Sequence, residues 1–162
     1  MKKRASQLGF LLPSFVMYAA IVTLLVSAAA RLTVLVIPIA YNLVQWCTYT
    51  NFYTAHDFIA RQIACAPIDS ASWIKADIDG FIWRGGDATQ AVLVKKGALI
   101  YKEGTYNNGR WGKASTSLLA QGCQFTAVQL MVEGDRATTF YCRAMLTGKP
   151  EHSWELRQGL HD

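Results

Sequence analysis

Hydrophobic side chains dominate the first third of the chain. Residues 5–30 carry no ionisable side chain except Tyr18, and after Arg31 the apolar run resumes as far as Trp46. A helix from Phe10 to Trp46 would be ~55 Å long, nearly twice the ~30 Å hydrocarbon core of a membrane. The pattern therefore predicts a membrane-spanning helix whose far half needs a second apolar surface to cover it.

Beyond Trp46 the sequence becomes amphipathic. Four apolar side chains lie on one stripe of the helix: Phe52, Ala55, Ile59 and Ile63. Phe58 lies beside this stripe. Pro67 predicts the end of the helical segment, placed at residues 10–66, because a residue before proline is pushed out of the helical region. Two arrangements fit: a membrane helix followed by a separate docked helix, or one long helix bent at Pro38, whose ring clashes with the preceding turn.

Residues 67–146 consist of short apolar runs separated by turn residues, which predicts an antiparallel β domain. Three of the runs form a β-meander: 81–83, 91–94 and 98–102. Asn108-Gly109 is a strong hairpin signal, because both central residues of that turn need positive φ. The run at 117–120 fits either a short helical turn or a strand.

The longest predicted hairpin joins residues 125–132 to residues 137–146. If the register follows the apolar alternation, three side chains of the first strand face two of the second: Val128, Leu130 and Val132 face Phe140 and Cys142. Counting outward from a regular turn instead sets Cys142 opposite Thr126 or Ala127.

The chain of 162 residues has room for one membrane or assembly segment and one domain of roughly 100 residues. No linker rich in proline, glycine or serine separates helix from sheet. We therefore expect an α+β fold in which a long N-terminal hydrophobic helix packs on a small antiparallel sheet. Residues 147–162 have little periodicity and are predicted to form a loop or a loosely ordered tail.

The net charge of +5 belongs to the apolar part of the chain. Residues 1–56 hold four of the 16 lysines and arginines and none of the 11 acids, so the remainder is close to neutral. This distribution offers no basic face for phosphate, and no nucleic-acid partner is predicted. The leading cations, Lys2, Lys3 and Arg4, are expected to stay in the cytoplasm and to place the β domain on the other side of the inner membrane.

No motif for catalysis or cofactor binding is present in the sequence. His56, His152 and His161 lack metal-ligand spacing, and no nucleophile elbow or phosphate loop occurs. Asp77-Ile78-Asp79-Gly80 resembles a fragment of a calcium loop, but it is predicted to be a turn before the next strand. We expect a protein that is not an enzyme, with no catalytic residue, cofactor or metal.

The four cysteines would face an oxidising compartment, where disulfides form. Cys47 and Cys65 cannot pair on one helix, since 18 residues separate their Cα atoms by ~27 Å. A bridge from Cys65 to Cys142 or Cys123 is the most reasonable single disulfide, with Cys65 and Cys142 the preferred pair. Buried free thiols are the alternative.

The N-terminus resembles the class III signal of type IV pilins and type II secretion pseudopilins: a basic run, a polar spacer, Gly9-Phe10 and a long hydrophobic helix leading into a small β domain. The resemblance implies that a prepilin peptidase cuts after Gly9, so that residues 1–9 are a leader, and that the new N-terminal Phe10 is N-methylated. It also implies that the helix first anchors the subunit in the inner membrane and then packs in an envelope filament with other minor and major subunits.

The sequence departs from that family at the fifth residue after the cut. The family usually has a glutamate there, which pairs with an N-terminal amine, whereas this chain has Ser14 preceded by Pro13. Some members at filament tips also lack the glutamate, so the departure indicates a minor subunit. Residues 55–146 are in addition similar to the J-type minor pseudopilins and their counterparts in competence pili, chiefly through the strand at 99–102, the 117–120 run and the closing hairpin.

Aromatic side chains follow the apolar run. Four of them fit an interfacial aromatic belt or a packing surface between filament subunits: Trp46, Tyr49, Phe52 and Tyr53. Most of Trp73, Trp83 and Trp111 should be core.

Three functions are compatible with these patterns. The first is a non-catalytic minor pilin or pseudopilin that helps to initiate or cap a filament. The second is a single-pass membrane protein whose β domain binds an envelope partner or ligand. The third is a secreted domain, with or without enzymatic activity, cut after Ala28-Ala29-Ala30. This cut would leave the apolar residues 32–46 at a new N-terminus, where they are hard to keep soluble.

Overall fold

The computed structural model describes the backbone of residues 5–161 and the side chains of residues 13–161. Within them, helix α1 (Ala5–Ala64) is followed by a 3₁₀ turn (Ser70–Ser72) and by strands. The strands are β1 (Trp73–Asp77), β2 (Gly80–Gly85), β3 (Ala88–Lys95), β4 (Ala98–Asn107), β5 (Arg110–Gln121), β6 (Cys123–Glu133), β7 (Arg136–Leu146) and β8 (Lys149–Gly159). The fold is α+β, with a long apolar N-terminal helix and a small antiparallel β domain, as the sequence predicted.

Two compact units share the chain, and the boundary between them falls inside α1. The first ends at Gln45 and the second begins at Trp46. Of the two arrangements that the sequence allowed, the structure has the single helix, which continues through Pro38. The chain after α1 forms a tight turn ahead of Pro67. In this turn the amide of Ala66 donates to the carbonyl of Ile63, three residues earlier, at 3.0 Å.

The strands form two antiparallel sheets in chain order. Sheet I contains β1 to β5, and sheet II contains β6 to β8. The predicted β-meander is confirmed, and residues 117–120 belong to strand β5. Asn108 and Gly109 have φ angles of 49° and 78°, which is the backbone that the Asn-Gly pair predicted for the β4–β5 turn.

A β-bulge decides the register of the β6–β7 hairpin. Val128 lies opposite Cys142 and Leu130 opposite Phe140, so the register predicted from the apolar alternation is confirmed for these pairs. The count from a regular turn, which set Cys142 opposite Thr126 or Ala127, is wrong. The extra residue is Thr138 on β7, between Ala137 and Thr139, and it shifts the pairs from Met131 back to Ala127 by one place.

One hydrophobic core in the second unit joins the helix to both sheets. The predicted helical stripe is buried, since the side chains of Phe52, Ala55, Ile59 and Ile63 are at most 2% exposed. In the same core Phe81 of sheet I packs edge-to-face on Phe140 of sheet II, with ring centroids 4.7 Å apart. Burying a large apolar side chain contributes about 1.5–3 kcal/mol, so this stripe is the main reason that the end of α1 stays on the sheets.

The three tryptophans predicted to be mostly core differ in burial. Trp83 is fully buried, and Trp73 is partly buried beside it with ring centroids 5.8 Å apart. Trp111 on strand β5 is only half-buried, and it packs beside Tyr106 and under the ammonium group of Lys102.

The C-terminal residues correct the expectation of a loop or loose tail after Thr147. Residues 149–159 form strand β8, which pairs with β7 along the edge of sheet II. The apolar signal was weak because only Trp154 and Leu156 point into the core, between exposed polar neighbours such as Glu155. An edge strand needs few apolar residues when the neighbouring strand supplies its backbone partners.

Candidate functional site

Residues 13–45 of α1 form an exposed apolar surface, which we call the apolar segment. Every side chain from Pro13 to Val44 is exposed, and the exposed fraction reaches 74% at Phe15. The helix has a window with mean hydropathy 2.3, and it is the one helix among the described residues that is long and apolar enough to cross a membrane. At 1.5 Å per residue, 33 residues extend for ~50 Å, so the apolar segment exceeds a ~30 Å hydrocarbon core.

Three aliphatic hydroxyl groups of the apolar segment donate to carbonyl groups of the helix itself. Thr23 donates to the carbonyl of Ala19 at 2.7 Å, and Thr33 donates to that of Ala29 at 2.9 Å. Ser27 does the same to Leu24 at 3.0 Å. Such bonds inside the helix allow a hydroxyl to enter an apolar environment without an unpaired donor.

Arg31 is the charged residue of the apolar segment. It is the single charged side chain between residues 5 and 55, and in the sequence pattern it is an interruption of the apolar run. It is exposed and has no hydrogen bond or ion pair with the residues that the structure describes. A guanidinium on an otherwise apolar helix is costly to bury unless an anion meets it.

A second surface lies where α1 enters the β domain, and we call it the aromatic joint. It consists of side chains from the helix and from strand β8: Tyr49, Phe52, Tyr53, His56, Lys149, His152 and Trp154. The Tyr49 ring stacks on His152 with centroids 4.3 Å apart, and the ammonium group of Lys149 lies 4.9 Å from the same ring and donates to its hydroxyl. The Trp154 indole donates to the carbonyl of Phe52 at 3.1 Å.

The four aromatic side chains that the sequence predicted to form one belt or packing surface differ in exposure. Phe52 is fully buried in the core, and Tyr49 is half-buried against His152, so neither presents its ring freely to a membrane or a partner. Trp46 is 75% exposed and Tyr53 is 45% exposed. An aromatic contact with a membrane surface or another subunit therefore depends on Trp46 and Tyr53.

The acidic turn at residues 77–80 is the tight turn between β1 and β2. Its carboxylates are engaged by Lys75, whose ammonium group lies 3.1 Å from Asp77 and 3.5 Å from Asp79. The amide of Asp79 also donates to the Asp77 carboxylate at 2.9 Å. No group of three histidine, cysteine, aspartate or glutamate side chains that could hold a metal ion occurs in the part of the chain that the structure describes.

A shallow polar hollow of about 240 Å³ lies between the β2–β3 turn and the end of strand β4. Its charged lining is one arginine, Arg84, and one aspartate, Asp87. The residues that line the hollow include no histidine or cysteine.

The predicted processing and disulfide residues are placed as follows. Gly9 and Phe10 lie in α1, but their side chains fall outside the described residues, and their processing stays a prediction. The cysteines are free thiols in the structure: Cys65 is exposed just after α1, whereas Cys142 is buried in the centre of sheet II. A bridge between Cys65 and Cys142 is not formed.

Burial disfavours the thiolate form of two of the cysteines. It raises the pKa of Cys142 to about 12 and that of Cys123 to about 11, because an apolar environment disfavours the charged thiolate. These side chains pack as small core residues.

Comparison of the chain with protein-family models, with curated proteins and with solved structures found no match. The two surfaces therefore have to be interpreted from their own chemistry: an apolar segment with one charge, and an aromatic joint that holds the end of α1 against strand β8.

Proposed function

We propose that this chain is a non-catalytic minor subunit of an envelope filament, of the pilin or pseudopilin kind, which helps to initiate or cap that filament. Before assembly the apolar segment anchors it in the inner membrane, with the β domain outside the cytoplasm. The observation that supports this proposal is the length of the apolar segment. About 20 Å of exposed apolar helix remains beyond a bilayer core, and neighbouring helices in a filament would cover it.

The location of the hydrophobic core in the chain supports the same function. All the buried hydrophobic residues described in the core lie at Phe52 or later, so the β domain does not use the apolar segment to fold. A helix that is apolar, exposed and not needed for the core of its own domain is suited to packing against other chains.

Processing at Gly9-Phe10 is the step that separates this function from its alternatives. We expect the protein recovered from cell membranes to begin at N-methylated Phe10, and intact-mass spectrometry measures this directly. Gly9→Leu should block the cut, because a large side chain would replace the glycine beside the scissile bond. The matched control Ala19→Leu, ten residues further along the helix, should be processed normally.

The alternative function is a single-pass anchor whose β domain binds an envelope partner and stays at the membrane. Ser14 favours it, because a serine cannot provide the carboxylate that filament subunits of this kind usually carry at this place. A recovered chain that still begins at Met1 would support this alternative, and one that begins at Arg31 would instead support secretion.

A further inference from the structure

Arg31 distinguishes the apolar segment from a plain anchor. We propose that Arg31 binds a carboxylate on an apolar helix of a different chain, so that this subunit assembles with an unlike partner rather than with copies of itself. This inference rests on the proposed function, because it names the partner of the same helix surface.

The position of Arg31 calls for a protein partner whether it lies at the membrane surface or inside the membrane. If Arg31 lies at the phosphate groups of the outer leaflet, residues 32–44 carry exposed apolar side chains for ~20 Å beyond the lipid and need a protein to cover them. If residues 32–44 lie in the membrane, Arg31 is inside the hydrocarbon and needs a buried anion. A partner helix with a carboxylate meets both needs, because its apolar side chains cover residues 32–44 and its carboxylate pairs with Arg31.

A second copy of this chain cannot supply that anion. Residues 1–56 contain no aspartate or glutamate, and the first acid, Asp57, lies ~39 Å along the helix from Arg31. Asp57 also already contacts His56 at 3.0 Å. Two parallel copies in register would place Arg31 against Arg31, which is repulsive, so charge complementarity selects a partner with a different sequence.

The side chains around Arg31 allow a neighbouring helix to approach closely. One turn before it on the same face lie Ser27 and Ala28, which are small, and one turn after it lie Val34 and Leu35. A partner helix can pack against the small residues while the longer guanidinium reaches across to a carboxylate.

A charge-swap experiment with the full chain tests this without knowledge of the natural partner. Wild type and Arg31→Glu, each in a Cys65→Ser background, are labelled at the exposed Cys47 with donor or acceptor dyes and placed together in phosphatidylcholine vesicles. Energy transfer reports association. We expect the mixture to associate at least about tenfold more tightly than either protein alone, as a good interhelical polar contact would provide.

Matched variants show whether the effect belongs to this position. Arg31→Lys should keep most of the gain with Arg31→Glu, and Arg31→Leu should lose it. Ile37→Glu, whose carboxylate lies about 120° around the helix from Arg31, should gain nothing with wild type. If Arg31→Glu does not insert, a synthetic apolar helix with one central glutamate, compared with its glutamine form, serves as the probe for wild type.

Two results would overturn the inference. One is that wild type associates with itself as tightly as with Arg31→Glu. The other is that 30% phosphatidylglycerol in the vesicles abolishes the preference for the carboxylate, because Arg31 would then be a site for lipid phosphate. Energy transfer does not depend on cleavage after Gly9, so failure here is distinguishable from failure of the proposed function, which the N-terminal mass decides.

Discussion

Side chains of the same type differ sharply in environment along the chain, and the four thiols show this most simply. Cys47 and Cys65 are exposed, whereas Cys123 and Cys142 are at most 1% exposed. We expect maleimide to modify Cys47 and Cys65 in the native protein and to reach the other two only after unfolding, as peptide mass spectrometry can show. A protein lighter by two hydrogens, with Cys65 protected, would instead reveal the bridge to Cys142.

Burial of these thiols also links stability to pH. A folded pKa of about 11 or 12, against an ordinary value of 9.0, means that the unfolded chain releases protons while the folded chain keeps them. The contribution to stability is therefore complete below about pH 9 and is lost as the pH rises towards 11 or 12, by at most ~1.4 kcal/mol per pH unit for each thiol.

Urea unfolding of the full chain in detergent between pH 8 and pH 10.5 checks this link. The free energy of unfolding should fall with pH, and the double variant Cys123→Ala/Cys142→Ala should fall less steeply. The slopes are compared rather than the absolute values, since the alanines also create small cavities. Burial and the neighbouring Glu103 raise the pKa of Tyr101 to about 12, so some slope should remain. Equal slopes for both proteins would contradict the prediction.

Two buried tryptophans form a matched pair that separates hydrogen bonding from packing. The Trp83 indole nitrogen is buried without a hydrogen-bond partner among the described residues, whereas that of Trp154 donates to the carbonyl of Phe52. Phenylalanine removes the N–H at either site, together with a similar volume. Both variants should lower the free energy of unfolding, measured by thermal or urea unfolding. The loss for Trp83→Phe should be smaller than that for Trp154→Phe by about 1–3 kcal/mol. An equal or greater loss for Trp83→Phe would show that volume alone sets the cost.

At the scale of elements, strand β8 fixes the end of α1 to the β domain. It pairs with β7 along one side, and Trp154 and Leu156 reach from it into the core beneath the helix. Its first residues, Lys149 and His152, form the aromatic joint with Tyr49. The C-terminal strand is therefore a structural part of the domain, and it braces the helix just after the apolar segment.

We expect Leu156→Ala to cost about 2–5 kcal/mol in the free energy of unfolding, because it leaves a cavity under the helix. Ser153→Ala, an exposed site on the same strand, should change stability by less than about 0.5 kcal/mol. Chemical denaturation followed by tryptophan fluorescence measures both. A loss below about 1 kcal/mol for Leu156→Ala would mean that β8 contributes little to the domain.

At the scale of the molecule, the two units differ in how far they bury their apolar side chains. Residues 13–44 leave every apolar side chain exposed, while the second unit buries its own core from Phe52 onward. A chain of residues 46–162 should therefore be monomeric in buffer without detergent and should unfold within a few degrees of the full chain in detergent. Size-exclusion chromatography and calorimetry test this. Loss of cooperative unfolding in the shorter chain would show that the apolar segment helps to fold the domain.

The sequence alone determined those features whose cause is local. Apolar periodicity identified the long helix and its buried stripe at Phe52, Ala55, Ile59 and Ile63, because a 3.6-residue repeat can place such residues on only one face. Alternation and an Asn-Gly pair identified most strands and the β4–β5 turn, since backbone preference is a property of neighbouring residues. The apolar segment was visible for the same reason.

Only the tertiary structure decided features that depend on residues far apart in the chain. Strand β8 became recognisable through its pairing with β7, and Cys142 was placed opposite Val128 by a bulge that no local pattern announces. Tertiary packing likewise divided the aromatic residues after the apolar segment, since Phe52 enters the core while Trp46 stays exposed. Arg31 is visible in the sequence as an interruption of the apolar run, but only the structure shows it exposed among apolar side chains, with no hydrogen bond or ion pair to the described residues. Contacts between distant residues are set by how the elements pack, and a linear pattern does not carry that information.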